Sequence, residues 1–258
     1  MEILKVVKIG GNIIDDEAAL AQFLTDFAKL KGPKVLIHGG GKLATKMANS
    51  MQVEVKMIDG RRITDAETLD IITMVYAGKI NKNIVAQLQA NSCNSIGFTG
   101  ADGNIIVSEK RPVKTIDYGF VGDIKQVNTA VLEVLLKNDI TPVCCAITHN
   151  NNGQLFNTNA DTVASELAIA LAKSYEVALY YCFEKDGVLL DVENPNSVIE
   201  HINTSSFASL KADGVITDGM LPKLDNCFHA ISNQVHKVCL GKPKMLFNQD
   251  SKYTTIQA

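Results

Sequence analysis

No stretch of this sequence approaches the ~18–20 consecutive apolar residues of a membrane span. The opening Met1-Glu2-Ile3-Leu4 leads almost directly into a strand-like run, without a signal-peptide apolar region. A cytoplasmic location is therefore expected. Basic residues are not in excess: 25 Lys and Arg stand against 28 Asp and Glu, a net charge of −3. That balance argues against nucleic acid as the main partner. The six cysteines show no C-x-x-C spacing, and Cys144, Cys145, Cys182 and Cys239 lie in apolar runs. They read as reduced core residues. His149, His201, His229 and His236 lack metal-binding spacing, so no metal site is expected. There is no internal repeat, low-complexity tract or Pro/Ser-rich linker.

What is present is an α/β pattern of 258 residues, 46% of them hydrophobic. Residues 4–9 read as a buried strand ending in Gly10-Gly11. An amphipathic helix near 16–31 follows, with Leu20, Phe23, Leu24, Phe27 and Leu30 on one face. Gly32-Pro33 stops it. Residues 34–38 form a second strand ending in Gly39-Gly40-Gly41, followed by a helix over 42–51. This βαβ unit implies parallel strands and a right-handed crossover.

The remainder continues the alternation. Residues 53–64 are extended, and Thr64 with Glu67 reads as a capping box for a long helix to about 90. A strand is expected at 95–98, hairpins at 99–125, a helix at 128–137 and one buried strand from Ile140 to Thr148. Asn150–Gly153 is a turn, and a helix follows Asn157-Thr158-Asn159-Ala160-Asp161. The pattern then restarts with a strand at 176–182, a turn at 184–187, helices at 205–213 and from about 219, and a strand at 236–240. Residues 1–174 are expected as an N-terminal lobe and 175–258 as a C-terminal lobe sharing one sheet.

Two strands that each end in consecutive glycines and then a helix let backbone N–H groups crowd an anion. Neither turn has the spacing of a P-loop or a G-x-G-x-x-G dinucleotide turn. Lys8 sits inside an apolar strand and needs an anion or solvent, because an unpaired buried charge is costly. Arg62 suits a bidentate fork to a carboxylate, or simply a surface position. Helix capping explains one residue of Asn157-Thr158-Asn159-Ala160-Asp161 but not all of them. Lys223 falls just inside a helix start. His38, beside the second glycine turn, reads as hydrogen-bonded to backbone.

Lys8-Ile9-Gly10-Gly11, His38-Gly39-Gly40-Gly41, Gly60-Arg61-Arg62-Ile63-Thr64 and Asn157-Thr158-Asn159-Ala160-Asp161 together resemble the amino acid kinase family. The closest branch is the one acting on N-acylated glutamate. Phe98-Thr99-Gly100-Ala101-Asp102-Gly103, Gly119-Phe120-Val121-Gly122 and Ile216-Thr217-Asp218-Gly219-Met220-Leu221-Pro222-Lys223 extend the match in order along the chain. The resemblance implies a three-layer αβα sandwich with a mainly parallel central sheet. It also implies ATP-dependent phosphorylation of N-acetyl-L-glutamate, with Mg²⁺ carried by the phosphates, in a homodimer.

On that resemblance Lys8 and Lys223 neutralise the transferring phosphoryl group, and Asp161 holds both lysines. Gly10, Gly11 and Gly40 donate backbone N–H bonds to phosphate oxygens. Arg62 and Asn157 hold the amino-acid substrate, with Gly40 and Gly41 lining its pocket. Glu184, Lys185, Gly187, Val188, Leu189, Val215, Ile216 and Thr217 contact the nucleotide. The chemistry is consistent: a carboxylate attacking a phosphate meets charge repulsion, so positioning and cations suffice.

The sequence departs from the family pattern at the nucleotide turn, where Phe183 replaces a small hydroxyl residue and Glu184 an aspartate. Lys185 there reads either as a cation near the phosphates or ribose, or as a lysine facing solvent. Arginine-inhibited relatives carry an additional N-terminal helix. With about seven residues before Lys8, insensitivity to arginine is expected. Three other readings stay open: N-succinyl-L-glutamate as substrate, another kinase of the same fold, and a non-catalytic nucleotide or amino-acid sensor.

Overall fold

Short apolar runs punctuated by glycine and asparagine turns become strands, and the amphipathic segments between them become helices. The computed structural model describes residues 2–58, 60–216, 220–248 and 250–257. The chain runs β1 (Leu4–Ile9), the one-turn α1 (Gly11–Ile14), α2 (Glu17–Ala28), β2 (Lys34–His38) and α3 (Gly41–Ser50). A hairpin of β3 (Met57–Ile58) and β4 (Arg61–Arg62) leads to α4 (Ala66–Thr73), a π-helical segment over Met74–Ile80, α5 (Asn81–Ala90) and β5 (Ser95–Phe98). Next come β6 (Ile106–Lys110), β7 (Gly122–Val127), α6 (Ala130–Lys137), β8 (Thr141–Cys145), β9 (Ile147–His149), β10 (Leu155–Asn157) and α7 (Ala160–Leu171). The chain ends with β11 (Val177–Cys182), β12 (His201–Ile202), α8 (Thr204–Ala212), α9 (Leu221–Ser232), β13 (Lys237–Gly241) and β14 (Thr254–Ile256).

Eight strands form the main sheet in the order β12-β14-β13-β11-β1-β2-β8-β5. All neighbours are parallel except β13 and β14. Both faces are covered, as a parallel sheet requires. Leu4, Val6, Leu179 and Tyr181 pack with α7 and α9 residues such as Leu167, Leu171, Leu224 and Cys227. Val7, Ile9 and Leu36 pack on the other side with Phe23, Phe27, Ala44, Ile84 and Leu88 of α2, α3 and α5. The result is three layers with one sheet in the middle. All six cysteines are free and buried. Burial raises the pKa of Cys182 and Cys144, which leaves those thiols unreactive near neutral pH.

Three local expectations are corrected. The apolar run from Ile140 to Thr148 is two strands, because the chain leaves the main sheet at Ala146 and joins a four-stranded sheet of order β10-β9-β6-β7. Asp65, not Thr64, caps α4, its side chain accepting from the Thr68 N–H at 2.8 Å. The long helix to about 90 is interrupted by the π segment, which widens the turn beneath the second glycine loop. Among the described residues no helix is long and apolar enough to cross a membrane.

Candidate active site

Strand β1 lies between β2 and β11, in register Ile9 to His38 on one side and Ile9 to Cys182 on the other. Three chain exits, at Gly10, Gly39 and Phe183, therefore leave the sheet side by side. The strand order diverges to either side of β1, and the crevice at the carboxyl ends of strands at such a point is where open α/β sheets bind ligands.

Lys8 points to the face that carries α7 and α9. Asn159 caps α7, accepting from the Asp161 N–H at 2.7 Å and the Thr162 N–H at 3.3 Å. This cap fixes Asp161 in the first turn, where a carboxylate also complements the helix dipole. Asp161 then meets Lys8 through Oδ1 at 2.7 Å and Lys223 through Oδ2 at 2.5 Å. The three side chains are only 12%, 16% and 14% exposed for Lys8, Asp161 and Lys223. Burial alone would raise the Asp161 pKa, but the two ammonium groups overturn that and hold it far below the usual carboxylate range. For Lys8 burial dominates and lowers its pKa, with the neighbouring Lys223 adding to the effect against the pull of Asp161.

Above this triad lies a cavity of about 390 Å³. Lys8, Gly10 and Lys223 line one end, and Glu184, Lys185, Gly187, Val188, Leu189, Val215 and Ile216 line the rest. The structure thus brings the expected nucleotide residues into one wall, together with Phe183, Val192 and Met220. Lys185 is half-buried and is among the residues lining this cavity, on the nucleotide side of the two readings left open for it. Thr217 lies outside the described residues. Asp186, behind the turn, is clamped by Lys242 at 2.9 Å and Lys244 at 2.7 Å. Gly10 needs a second correction: its N–H donates to the Cys182 carbonyl at 3.1 Å, so Gly11 at the head of α1 is the amide left for an anion.

The other glycine turn is built more tightly. Gly40 has φ +150°, and a Cβ there would fall 2.1 Å from Ile80 Cδ1 in the π segment. Lys42, one residue past Gly41, donates to the Asn12 side chain and ties the two turns together. Arg62 is buried, and its Nη2 donates to the Gly41 carbonyl at 3.0 Å and to Thr45 Oγ1 at 2.7 Å. Its Nη1 is buried with no partner among the described residues. A guanidinium held on one side with an orphaned donor on the other is suited to a carboxylate ligand.

Asn157 is placed by a connection that local pattern could not reveal. Its Nδ2 donates to Thr64 Oγ1 at 3.0 Å, and Thr64 in turn donates to the Arg62 carbonyl at 3.2 Å. The Asn157 N–H donates to Phe120 O, and the Phe120 N–H to Thr64 O. Gly119, at φ +69°, allows that contact, since a Cβ would lie 2.2 Å from Thr64 O. Thr64 is therefore the hub joining three segments far apart in sequence.

His38 is fully buried, its Nδ1 paired with the Gly39 carbonyl at 2.9 Å and its Nε2 with Asn81 Nδ2 at 3.0 Å. Asn81 also donates to the Val143 carbonyl at 3.0 Å. The ring is thus neutral, donating through Nδ1 and accepting at Nε2. Burial drives its pKa from 6.5 down to about 4. The unfolded chain binds a proton below about 6.5 that the folded chain refuses until about 4. Stability is therefore full above pH 6.5 and falls by about 3 kcal/mol as the pH drops through that window. Denaturant titrations from pH 7.5 to pH 4 should show this loss, with a shallower pH slope in His38→Gln. Equal slopes would remove His38 as the cause.

Residues 4–242 match the amino acid kinase family. The chain is 55% identical to the acetylglutamate kinase of Cytophaga hutchinsonii, covering 99% of this chain and 97% of that one. It is 53% identical to the acetylglutamate kinase of Bacteroides thetaiotaomicron, covering 93% of each. Among solved structures it resembles smu.665 of Streptococcus mutans, with a TM-score of 0.79 and 25% identity over 99% of this chain and 98% of that one. The paired glycine turns, the lysine–aspartate–lysine triad and matches of this extent lead to one statement: the chain belongs to the amino acid kinase family.

Proposed function

We propose that this protein transfers the γ-phosphoryl group of ATP to the γ-carboxylate of N-acetyl-L-glutamate. The products are N-acetyl-L-glutamyl 5-phosphate and ADP, in the pathway of arginine biosynthesis. The observation that carries the reading is the Lys8–Asp161–Lys223 triad at the end of the 390 Å³ cavity. Two cations fixed on one carboxylate suit a reaction in which an anion attacks an anion. The names of the relatives at 53–55% identity favour the acetyl group over the succinyl one.

In this reading the substrate carboxylate oxygen bonds to the γ-phosphorus while the bond to the β–γ bridging oxygen breaks, and ADP leaves with that electron pair. The attacking carboxylate is already ionised at neutral pH, so no general base is needed. Lys8 and Lys223 offset the charge on the transferring group, while Asp161 keeps them apart and oriented. Gly11 and the Gly40–Gly41 turn supply backbone donors. Arg62 Nη1 takes the α-carboxylate of the substrate, and Asn157 borders the same pocket. Glu184, Lys185, Gly187, Val188, Leu189, Val215 and Ile216 hold the nucleotide, and Thr217 extends that set. Three lysines lining the cavity, with Asp161 fully engaged by two of them, fit Mg²⁺ held by the phosphates, where the ion would withdraw charge from them.

Residues 1–174 act as the lobe for acylated glutamate and for dimerisation, and 175–258 as the lobe for ATP. The main sheet supports this division, with β5, β8, β2 and β1 on one side and β11, β13, β14 and β12 on the other. A homodimer is expected to use the first segment, where edge strand β5 carries the exposed Ile96.

The test traps the acyl phosphate as a hydroxamate, with ATP and N-acetyl-, N-succinyl- or free L-glutamate. The N-acetyl compound should give the highest kcat/KM, and absence of hydroxamate with all three would refute the kinase reading. Arg62→Ala should raise the KM for the acylated glutamate by about tenfold to a hundredfold, the worth of a charged hydrogen bond. Its KM for ATP should stay within about twofold. A larger change for ATP would mean that Arg62 serves the nucleotide.

A further inference from the structure

Lys223 occupies an adverse position. It is the third residue of α9, so the positive end of its own helix dipole opposes its charge, and no acidic residue lies in that turn to compensate. Lys8 shares the same carboxylate and repels it, and burial removes most of its solvent. Asp161 contacts it from one side only.

Two aromatic rings approach it as well. Val177, Leu179, Tyr181 and Phe183 alternate onto the face that carries α7 and α9. The Phe183 N–H donates to the Gly241 carbonyl at 3.0 Å, which prolongs the extended pairing one residue beyond β11. Lys223 Nζ lies 5.1 Å from the Tyr181 ring centroid and 5.9 Å from that of Phe183. Both distances fall within the range of a cation–π contact. The Tyr181 hydroxyl donates to the Asp161 backbone carbonyl at 3.0 Å, locking its ring to the helix turn that carries the carboxylate. Phe183 also lines the nucleotide cavity. Its ring thus borders the lysine and the space for the phosphates at once.

We infer that Tyr181 and Phe183 are positioning residues, a two-ring cradle that holds the Lys223 ammonium beside Asp161 at the mouth of the cavity. Their π faces supply the negative potential that the helix dipole and Lys8 work against. An aromatic residue at 183 is in this view a working part of the site.

The inference rests on Lys223 serving phosphoryl transfer, so its test has one arm that depends on activity and one that does not. In the first, Phe183 is replaced by its mono-, di- and trifluorinated forms, which weaken the π face with little change of shape. The logarithm of kcat should fall stepwise, by about three- to tenfold in total. Phe183→Tyr should stay within about twofold of wild type, and Phe183→Leu should match the trifluorinated protein. The KM for the acylated glutamate should not move. A purely space-filling Phe183 would give a flat fluorine series with Phe183→Leu close to wild type, and that result overturns the proposal. In the second arm, NMR of Lys223 labelled at Cε should show its ε-protons shifted upfield by the ring currents, and less so in Phe183→Leu. No upfield shift in the wild type would overturn the cradle even in an active enzyme. An upfield shift in a protein that makes no acyl phosphate would overturn the kinase reading and leave the cradle standing.

Discussion

Lys8→Met and Lys223→Met should each lower kcat by about a hundred- to a thousandfold, the usual cost of removing one fixed donor to developing charge. The KM values should move far less, because cations that act on the transferring group contribute mainly in the transition state. The double variant should be only slightly worse than either single one, since both lysines act through the same carboxylate and the same phosphoryl group. Stability should behave differently from activity. Burial disfavours the Lys8 charge in the folded state, while Asp161 gains from it. Lys8→Met removes the first effect and part of the second, so the melting temperature should stay within a few degrees of wild type. Hydroxamate kinetics and thermal unfolding of the same preparations check both halves. Turnover within tenfold of wild type in both single variants would defeat the assigned role.

These residues were legible in the sequence because each carries a local contradiction. Lys8 interrupts an apolar strand, consecutive glycines end two strands, and four polar residues (Asn157, Thr158, Asn159 and Asp161) stand where a helix needs one cap. Physical chemistry flags such places before any fold is known. Thr64 carried no such contradiction, and it read as an ordinary cap. Its true partners are Asn157 and the 118–120 turn, which local pattern does not connect. The π segment was equally invisible, since Met74–Ile80, with Val75, Tyr76 and Ile80 buried and Met74 and Lys79 exposed, reads as an ordinary amphipathic helix. Its widened turn only makes sense against Gly40, whose missing Cβ leaves room for Ile80. The break at Ala146 was hidden by an apolar run that stays buried while changing sheets. Tyr181, inside the strand expected at 176–182, drew no notice of its own and is fully buried. Its role comes from the hydroxyl and ring face that it turns toward Asp161 and Lys223.

Asp161→Asn is expected to be the most damaging single change, and its pH dependence identifies why. The amide keeps the shape and loses the charge, so Lys8 and Lys223 are left as two like charges, 12% and 14% exposed, without an anion between them. Breaking a buried pair in this way costs about 3–5 kcal/mol near neutral pH. Activity should fall with it, because both cations lose their fixed position. The sign of the pH effect follows from Lys8. Its pKa is already lowered in the fold, and Asp161 is what opposes that lowering. Without Asp161 it falls further, so the folded variant sheds a proton that the unfolded chain keeps up to about pH 10.4. The folded state then binds fewer protons than the unfolded one, and stability must rise with pH across the alkaline range. Denaturant titrations from pH 7 to pH 10 should therefore show the variant recovering part of its loss while the wild type changes less. At the acid end the gap closes from the wild-type side. The depressed pKa of Asp161 stabilises the wild type above about pH 4, and that contribution is lost as the pH falls through and below the ordinary carboxylate range. The variant lacks this component, so the two proteins should converge in acid. Polyanions provide a further check: millimolar pyrophosphate should raise the melting temperature of Asp161→Asn more than that of wild type, by giving the stranded lysines a partner. A variant with wild-type stability and a flat alkaline profile would show that the lysines do not depend on Asp161.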